Sequence, residues 1–216
     1  MMKFKLIINK KYNKKLTNFG DKNMETTSIF LDWSNVFIYA KNLDIRIDPT
    51  RLCDFVSKDK NIVQKNYFSA VDPNNKRQIK FHEGLKKRGF LIHTHDLVER
   101  PEKIICPKCR TEVNFNCNKC NTLITLPPHK SKRIDVLIAL NLLKTSNIYN
   151  EAILISGDQD FIPIIDYLRY EMKKKITIVA FKKLLSYEYN ESCDKIIILD
   201  DYIEEIKQIV KPHGGL

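Results

Sequence analysis

The sequence predicts an α/β chain: a three-layer, doubly wound, Rossmann-like and mostly parallel sheet carrying a small four-cysteine insertion. Three observations predict it. From Thr27 onward, short β-branched or apolar runs alternate with longer amphipathic ones, the pattern of parallel strands covered by helices. Six strand-like runs occur in that alternation, and right-handed crossovers wind such a chain into an open sheet whose ligand crevice lies outside the strands' carboxyl ends, where the strand order reverses. The third observation is a break in the rhythm, because residues 101–130 hold four cysteines and Pro127-Pro128.

Taken in order, residues 1–24 carry Lys3, Lys5, Lys10, Lys11, Lys14, Lys15 and Lys22 against one acid, Asp21. They read as a basic arm over 1–26, although Phe4, Leu6 and Ile8 alternate as a short strand would. The main domain covers 27–211, with the insertion at 101–130. It opens with a buried strand at 28–32, a helix at 35–42 and a second helix from Pro49, a residue suited to a first helical turn. A strand follows at 62–71. Pro73 then opens a helix through 87, Gly89 closes it in a C-cap position, and 90–97 forms the third strand. Beyond the insertion come a helix at 131–144, a strand at 152–156, a helix at 161–172 and a strand at 176–180. A helix at 184–191, a strand at 195–199 and a last helix to 210 complete the set. Residues 213–216 read as a frayed tail.

Composition narrows the function. The 216 residues suffice for one substantial domain with a small appendage. Hydrophobic residues at 43% and charged residues at 29% exclude a disordered chain, a collagen and a disulfide miniprotein. The greasiest stretch, 136–143, is interrupted by Asn141 and falls short of a membrane span. The run Leu6-Ile7-Ile8 is shorter than a secretory core and no small-residue cleavage site follows it. The expectation is a soluble, cytoplasmic protein without a membrane partner, whose cysteines bind metal or are buried. Lys and Arg number 37 against 26 Asp and Glu, and the pI near 9.3 favours a polyanionic partner, nucleic acid before anionic lipid.

Four acids carry the chemistry. Asp32 ends the first strand, Asp158 and Asp160 follow the strand at 152–156 in Ser156-Gly157-Asp158-Gln159-Asp160-Phe161, and Asp135 opens an otherwise apolar helix. Each has an ordinary explanation too, an N-cap for Asp158 or Asp160 and helix-dipole complementation for Asp135. Together they ask for more. Carboxylates about 4 Å apart repel by roughly 4 kcal/mol at an effective dielectric of 20, which a small domain tolerates only with compensation. A divalent cation compensates, and an all-oxygen set selects Mg²⁺ or Mn²⁺, ions that activate water and steady a leaving oxygen in phosphodiester cleavage.

At these residues the chain resembles the NYN domains, a LabA-like (DUF88) branch of the PIN-like metal-dependent ribonucleases. Leu31-Asp32-Trp33-Ser34-Asn35 is similar to the family's D-G-x-N opening, and Arg133-Ile134-Asp135-Val136 to its G-V-D-V helix start. Residues 156–161 match its S-G-D-S-D-F. Leu184-Leu185-Ser186 with Asp194 and Ile198-Leu199 is similar to the closing segment. The likeness runs over 28–201 apart from the insertion. It implies Asp32, Asp135, Asp158 and Asp160 as metal-binding catalytic acids, with Asn35 and Ser156 orienting them or the phosphate, and RNA as the substrate. Trp33 departs from the family's glycine and makes the turn bulkier at the mouth of the site. Asn141 stands where the family has a second acid. Six residues after Asp135, it is turned about 600° and raised about 9 Å, so it faces away and serves a supporting role.

Cys106-Pro107-Lys108-Cys109 and Cys117-Asn118-Lys119-Cys120 form C-x₂-C-x₇-C-x₂-C, two knuckles fit for one structural Zn²⁺ in a tetrahedral Cys₄ shell. The loop has too little core of its own to fold without metal. Lys103, Lys108, Arg110, Lys119, Lys130, Lys132 and Arg133 surround it as a solvated basic face or an RNA clamp. Cys53 and Cys193 read as buried packing residues, and His93 and His95 as ordinary strand histidines. Tyr67, Phe68, Lys76, Arg77 and Lys80 suit base stacking and phosphate contact as well as a core and a solvated face. The combined reading is a metal-dependent endoribonuclease cutting single-stranded RNA. Its alternatives are a non-catalytic nucleic-acid-binding or scaffold module with the same fold, and a DNA nuclease.

Overall fold

A computed structural model describes residues 25–96, 98–100, 104–124, 129–131 and 133–209. Strand β1 (Thr26–Asp32) is buried along nearly its whole length and runs into α1 (Trp33–Asn42). The helix starts two residues earlier than its apolar periodicity indicates, because the Asp32 carboxylate caps it by accepting from the Asn35 amide at 3.1 Å. Next comes α2 (Pro49–Val56), capped by Asp48 with Pro49 at its first position. Strand β2 (Asn61–Val71) leads to α3 (Lys76–Lys87). Pro73 lies in the preceding turn rather than opening α3, and Asn75 provides the cap. Gly89 takes φ of 84° just past α3, a left-handed value that glycine adopts without strain, and β3 (Phe90–Asp96) follows.

Four short strands fill the insertion: β4 (Val98–Arg100), β5 (Phe115–Asn116), β6 (Leu123–Ile124) and β7 (His129–Ser131). They pair antiparallel as β4 with β7 and β5 with β6, apart from the main sheet. Helix α4 (Ile134–Lys144) then returns to the sheet, followed by β8 (Glu151–Ile155) and α5 (Ile162–Asp166). A π turn over Tyr167–Glu171 extends α5, so the helix expected at 161–172 is present with a change of pitch. Strand β9 (Lys175–Ala180), α6 (Tyr189–Ser192), β10 (Lys195–Ile198) and α7 (Ile203–Ile206) end the described chain. The helix expected at 184–191 shrinks to α6. The Ser186 amide, in the segment ahead of α6, donates to the Gly157 carbonyl at 3.3 Å.

The six long strands form one parallel sheet in the order β10-β9-β8-β1-β2-β3. Alternate side chains divide between two apolar layers, Ile29 and Leu31 packing with α1 and α2 while Phe30 packs with α4 and α5. The order reverses between β1 and β8, where Leu31 pairs with Ile155. That places Asp32 and Ser156 side by side beyond the last pair, at the switch point where doubly wound sheets bind ligands. No helix among the described residues is long and apolar enough to cross a membrane. The basic arm falls outside the described residues, except for Glu25, which pairs with Lys175 at 2.6 Å, and Thr26. Residues 210–216 also lie outside them.

Candidate functional site

The cleft at the switch point has a volume of about 310 Å³ and is lined by Asp32, Asn35, Asp135 and Asp158, with Ile38 and Leu184 among its apolar walls. Three separate elements deliver the three acids: the end of β1, the first turn of α4 and the loop after β8.

Asp32 is buried and both of its oxygens are engaged. Oδ1 accepts the Asn35 amide, and Oδ2 accepts the Ser156 hydroxyl at 3.2 Å. Ser156 is itself fully buried and accepts the Asp158 amide at 3.4 Å, so one hydroxyl ties the two acidic loops together. Asn35 Oδ1 accepts the Gly157 amide at 3.4 Å. Asp158 caps a 3₁₀ turn over Gln159–Phe161 by accepting the Asp160 amide at 3.1 Å.

Gly157 is required by a close approach. A Cβ built there would meet the Leu184 carbonyl oxygen at 2.5 Å and its carbon at 2.7 Å. The Tyr189 hydroxyl donates to the Asp158 carbonyl and locks the far side of the loop. Burial pushes the pKa of its hydroxyl up, and the charges of Asp158, Cys193, Asp160 and Asp32 push it further in the same direction. Tyr189 is therefore a fixed donor, and three of the four acids act on it together.

Asp160 is exposed, one turn beyond Asp158, and is not among the residues lining the cleft. Asn141 does not reach the cleft either. Its amide donates to the Leu137 carbonyl of its own helix at 3.0 Å, a support for α4. Trp33 turns away from the acids and packs against Phe37 and Tyr67, so the bulky residue at the family's glycine position leaves the acid cleft uncovered. Arg133, at the position of the family's other glycine, takes a left-handed φ of 50° just before α4. Ser34, Tyr39, Asn42 and Tyr189 escaped the sequence reading. The first three lie on successive turns of α1 after Asp32, and that spacing is the signal that finds them.

The donor set is made of carboxylate and amide oxygens, the chemistry of a hard cation such as Mg²⁺ or Mn²⁺. Among the described residues, no three His, Cys, Asp or Glu side chains are gathered tightly enough to close directly on a metal ion. Mg²⁺ keeps several waters and needs only one or two direct carboxylates, so an open arrangement of three acids fits it.

In the insertion, two like turns repeat. The Cys106 amide donates to Thr111 and the Arg110 amide to Cys106, while Cys117 and Asn121 repeat both bonds with Thr122 and Cys117. Arg110 and Asn121 both take left-handed φ, 59° and 55°. Hydrogen bonds from Thr111 and Cys106 lower the Cys109 thiol to about 7, and Thr122 and Cys117 lower Cys120 in the same way. The sulfurs are linked within each turn, Cys106 with Cys109 and Cys117 with Cys120, and among the described residues no three of them are gathered into one group. Ile105, Phe115, Leu123 and Ile124 are about half exposed, so the described residues of the insertion build almost no core of their own.

Lys108, Arg110, Lys119 and Arg133 are exposed around it, whereas Lys103, Lys132 and the side chain of Lys130 lie outside the description. Cys53 and Cys193 are buried as expected, and burial pushes the Cys53 thiol up to about 12. His93 contacts Asn66 at 3.0 Å and stacks on Phe68, and His95 contacts the Asp96 carbonyl, the roles of ordinary strand histidines.

The NYN domain family matches residues 26–200. The chain belongs to the NYN family. The low amplitude and bright protein LabA of Synechococcus elongatus is 24% identical over 188 residues, covering 86% of this chain and 89% of LabA. A solved protein of unknown function from Vibrio parahaemolyticus superposes with a TM-score of 0.64 at 19% identity, over 88% of this chain and all of that one. The matched range 26–200 contains Asp32, Asp135 and Asp158.

Proposed function

We propose that this NYN chain is a metal-dependent endoribonuclease that cuts single-stranded RNA at the cleft between β1, α4 and β8. One observation carries the reading: Asp32, Asp135 and Asp158, from three elements far apart in sequence, line one cleft at the switch point. N-capping and dipole complementation explain each acid singly but not their meeting. Asp32, Asp135 and Asp158 would hold Mg²⁺ or Mn²⁺, and that ion supplies charge neutralisation at the phosphodiester and an activated water.

The chain's own groups do the positioning. Ser156 holds Asp32 by its Oδ2, and the Asn35 amide holds Oδ1, so this carboxylate keeps one orientation. Tyr189 and Leu184 fix the loop that presents Asp158. Asp160, outside the cleft, adds negative charge from behind rather than a direct contact. The repeated cysteine knuckles suit a structural Zn²⁺ once the two turns close on each other, since soft thiolates in C-x₂-C turns are its preferred donors.

A second reading, a nucleic-acid-binding module without catalysis, is favoured by the open spacing of the acids. Incubation of the purified protein with mixed RNA and DNA, with and without Mn²⁺, separates the two. The nuclease reading expects Mn²⁺-dependent RNA cleavage that falls about a hundredfold in Asp158→Asn, as for several kcal/mol of lost charge stabilisation. RNA binding should persist. The cap survives because Asn caps as well as Asp, so melting temperature should not fall. Cleavage that is undiminished in both Asp158→Asn and Asp32→Asn assigns the activity elsewhere, and binding without cleavage selects the second reading.

A further inference from the structure

Beside the acid cleft lies a larger groove of about 840 Å³, and Ser34 and Ile38 line both. Its walls are aromatic. Trp33 sits with ring centroids 5.8 Å from Phe37 and Tyr67 and 6.4 Å from Phe81, tilted by 33° to 36°. Tyr67 is buried and closes the floor, whereas Phe37 and Phe81 are 49% and 40% exposed. Two half-exposed phenylalanines flanking an indole are a costly surface for water and mark a binding site. The rim carries Lys41, Arg46 and Arg77 against a single acid, Asp44.

We infer that this groove takes an unpaired nucleobase of the strand whose phosphodiester lies in the acid cleft. The inference rests on the nuclease reading of that cleft and adds how the substrate is held. Continuity comes from the chain itself: Asp32 and Trp33 are consecutive, with Cα atoms about 3.8 Å apart, yet one faces the acid cleft and the other the groove. A phosphate and its neighbouring base have the same division, charge on one side and a flat π surface on the other. Aromatic faces accept any base by stacking, and rim cations hold the backbone without reading sequence. A base-paired strand cannot offer its faces in this way, which makes the groove selective for single strands. An apolar peptide would gain nothing from the three rim cations, so charge complementarity favours the nucleotide strand. Phe68, the other aromatic of this region, points to the opposite layer and stacks on Phe30 and His93, so it takes no part.

Trp33 is the only tryptophan in the chain, and its fluorescence therefore reports on the groove alone. In EDTA, where no cleavage occurs, titration with a short single-stranded oligouridylate should quench it saturably. An abasic oligomer with the same sugar–phosphate backbone should bind more weakly and leave the emission unchanged. Phe37→Leu/Phe81→Leu, with folding checked by circular dichroism, should weaken the oligouridylate about tenfold and the abasic oligomer hardly at all. Equal binding and quenching by the abasic oligomer, or an unaffected double variant, overturns the groove. The two readings fail separately. Base-dependent quenching without any cleavage in Mn²⁺ sinks the nuclease and keeps the groove, and cleavage without quenching does the reverse.

Discussion

Gly157→Ala tests whether the Asp158 loop owes its place to one backbone contact. The added methyl would stand 2.5 Å from the Leu184 oxygen and 2.7 Å from its carbon, where ordinary contact begins at 3.4 Å. Backbone on both sides offers no rotamer to yield, so the loops must part by most of an ångström. Two hydrogen bonds hold Gly157 on either side, Ser186 amide to Gly157 carbonyl at 3.3 Å and Gly157 amide to Asn35 of α1 at 3.4 Å, and a shift of the loop disturbs both. Overpacking of this kind costs about 1–3 kcal/mol, and the two long bonds add about 1 kcal/mol, for a total near 3 kcal/mol. The shift also moves Ser156 and Asp158 relative to Asp32, and a displacement of that size costs about a hundredfold in a positioned reaction. Urea unfolding followed by circular dichroism measures the first effect and Mn²⁺-dependent RNA cleavage the second. A variant with wild-type stability would show that the loops separate freely. Wild-type cleavage from a destabilised variant would show that the acids do not depend on this junction.

Further expectations concern the far end of the sheet and the insertion. Glu151 is buried at the amino end of β8 and accepts Lys60 at 2.6 Å, Thr177 at 2.8 Å and Thr27 at 3.1 Å. Burial alone would raise its carboxyl, but these bonds and the Lys60 charge outweigh it and hold the carboxyl below its ordinary value. The stability it supplies is therefore full above the ordinary carboxylate range and is lost as pH falls through the lowered value. Lys60→Met should cost about 1–2 kcal/mol near neutrality, the lysine being partly solvated. It should also shrink the acid limb of the urea-midpoint curve, so that variant and wild type converge at low pH, and curves separated equally at every pH would refute the linkage. Elemental analysis should find one zinc per chain, lost in Cys106→Ser/Cys120→Ser; zinc absent from protein prepared without chelators, or unchanged in the variant, removes the ribbon.

The strands were legible because parallel sheets buried on both faces write themselves as apolar runs, and 28–32, 152–156 and 176–180 each fall within a residue or two of an observed strand. Asp32 and Asp158 were legible because strand ends in this topology face a crevice. Asp160 was not, since two acids at i and i+2 across a 3₁₀ turn diverge, and the turn type depends on the cap at Asp158. The collapse of the helix at 184–191 was invisible for a related reason. The segment ahead of α6 is instead tied to the acidic loop, the amide of Ser186 meeting Gly157, a contact between residues 29 positions apart. The groove was only half visible: Tyr67 and Arg77 stood out, but Phe37 and Phe81 belong to different helices, and nothing local reveals that they flank Trp33.

The hydroxyl bond from Ser156 to Asp32 joins positions 124 residues apart, and β1 has no partner on that side until β8 exists. A ribosome adding about 5–20 residues each second needs roughly ten seconds to cross that interval. During it, the strand that ends in Asp32 can pair only with β2, and the edge meant for β8 stays open. The emerging chain therefore carries Asp32 for 103 positions before Asp135 is added, and for longer before Asp158. Until β8 and the loop after it have emerged, Asp32, Asp135 and Asp158 cannot meet.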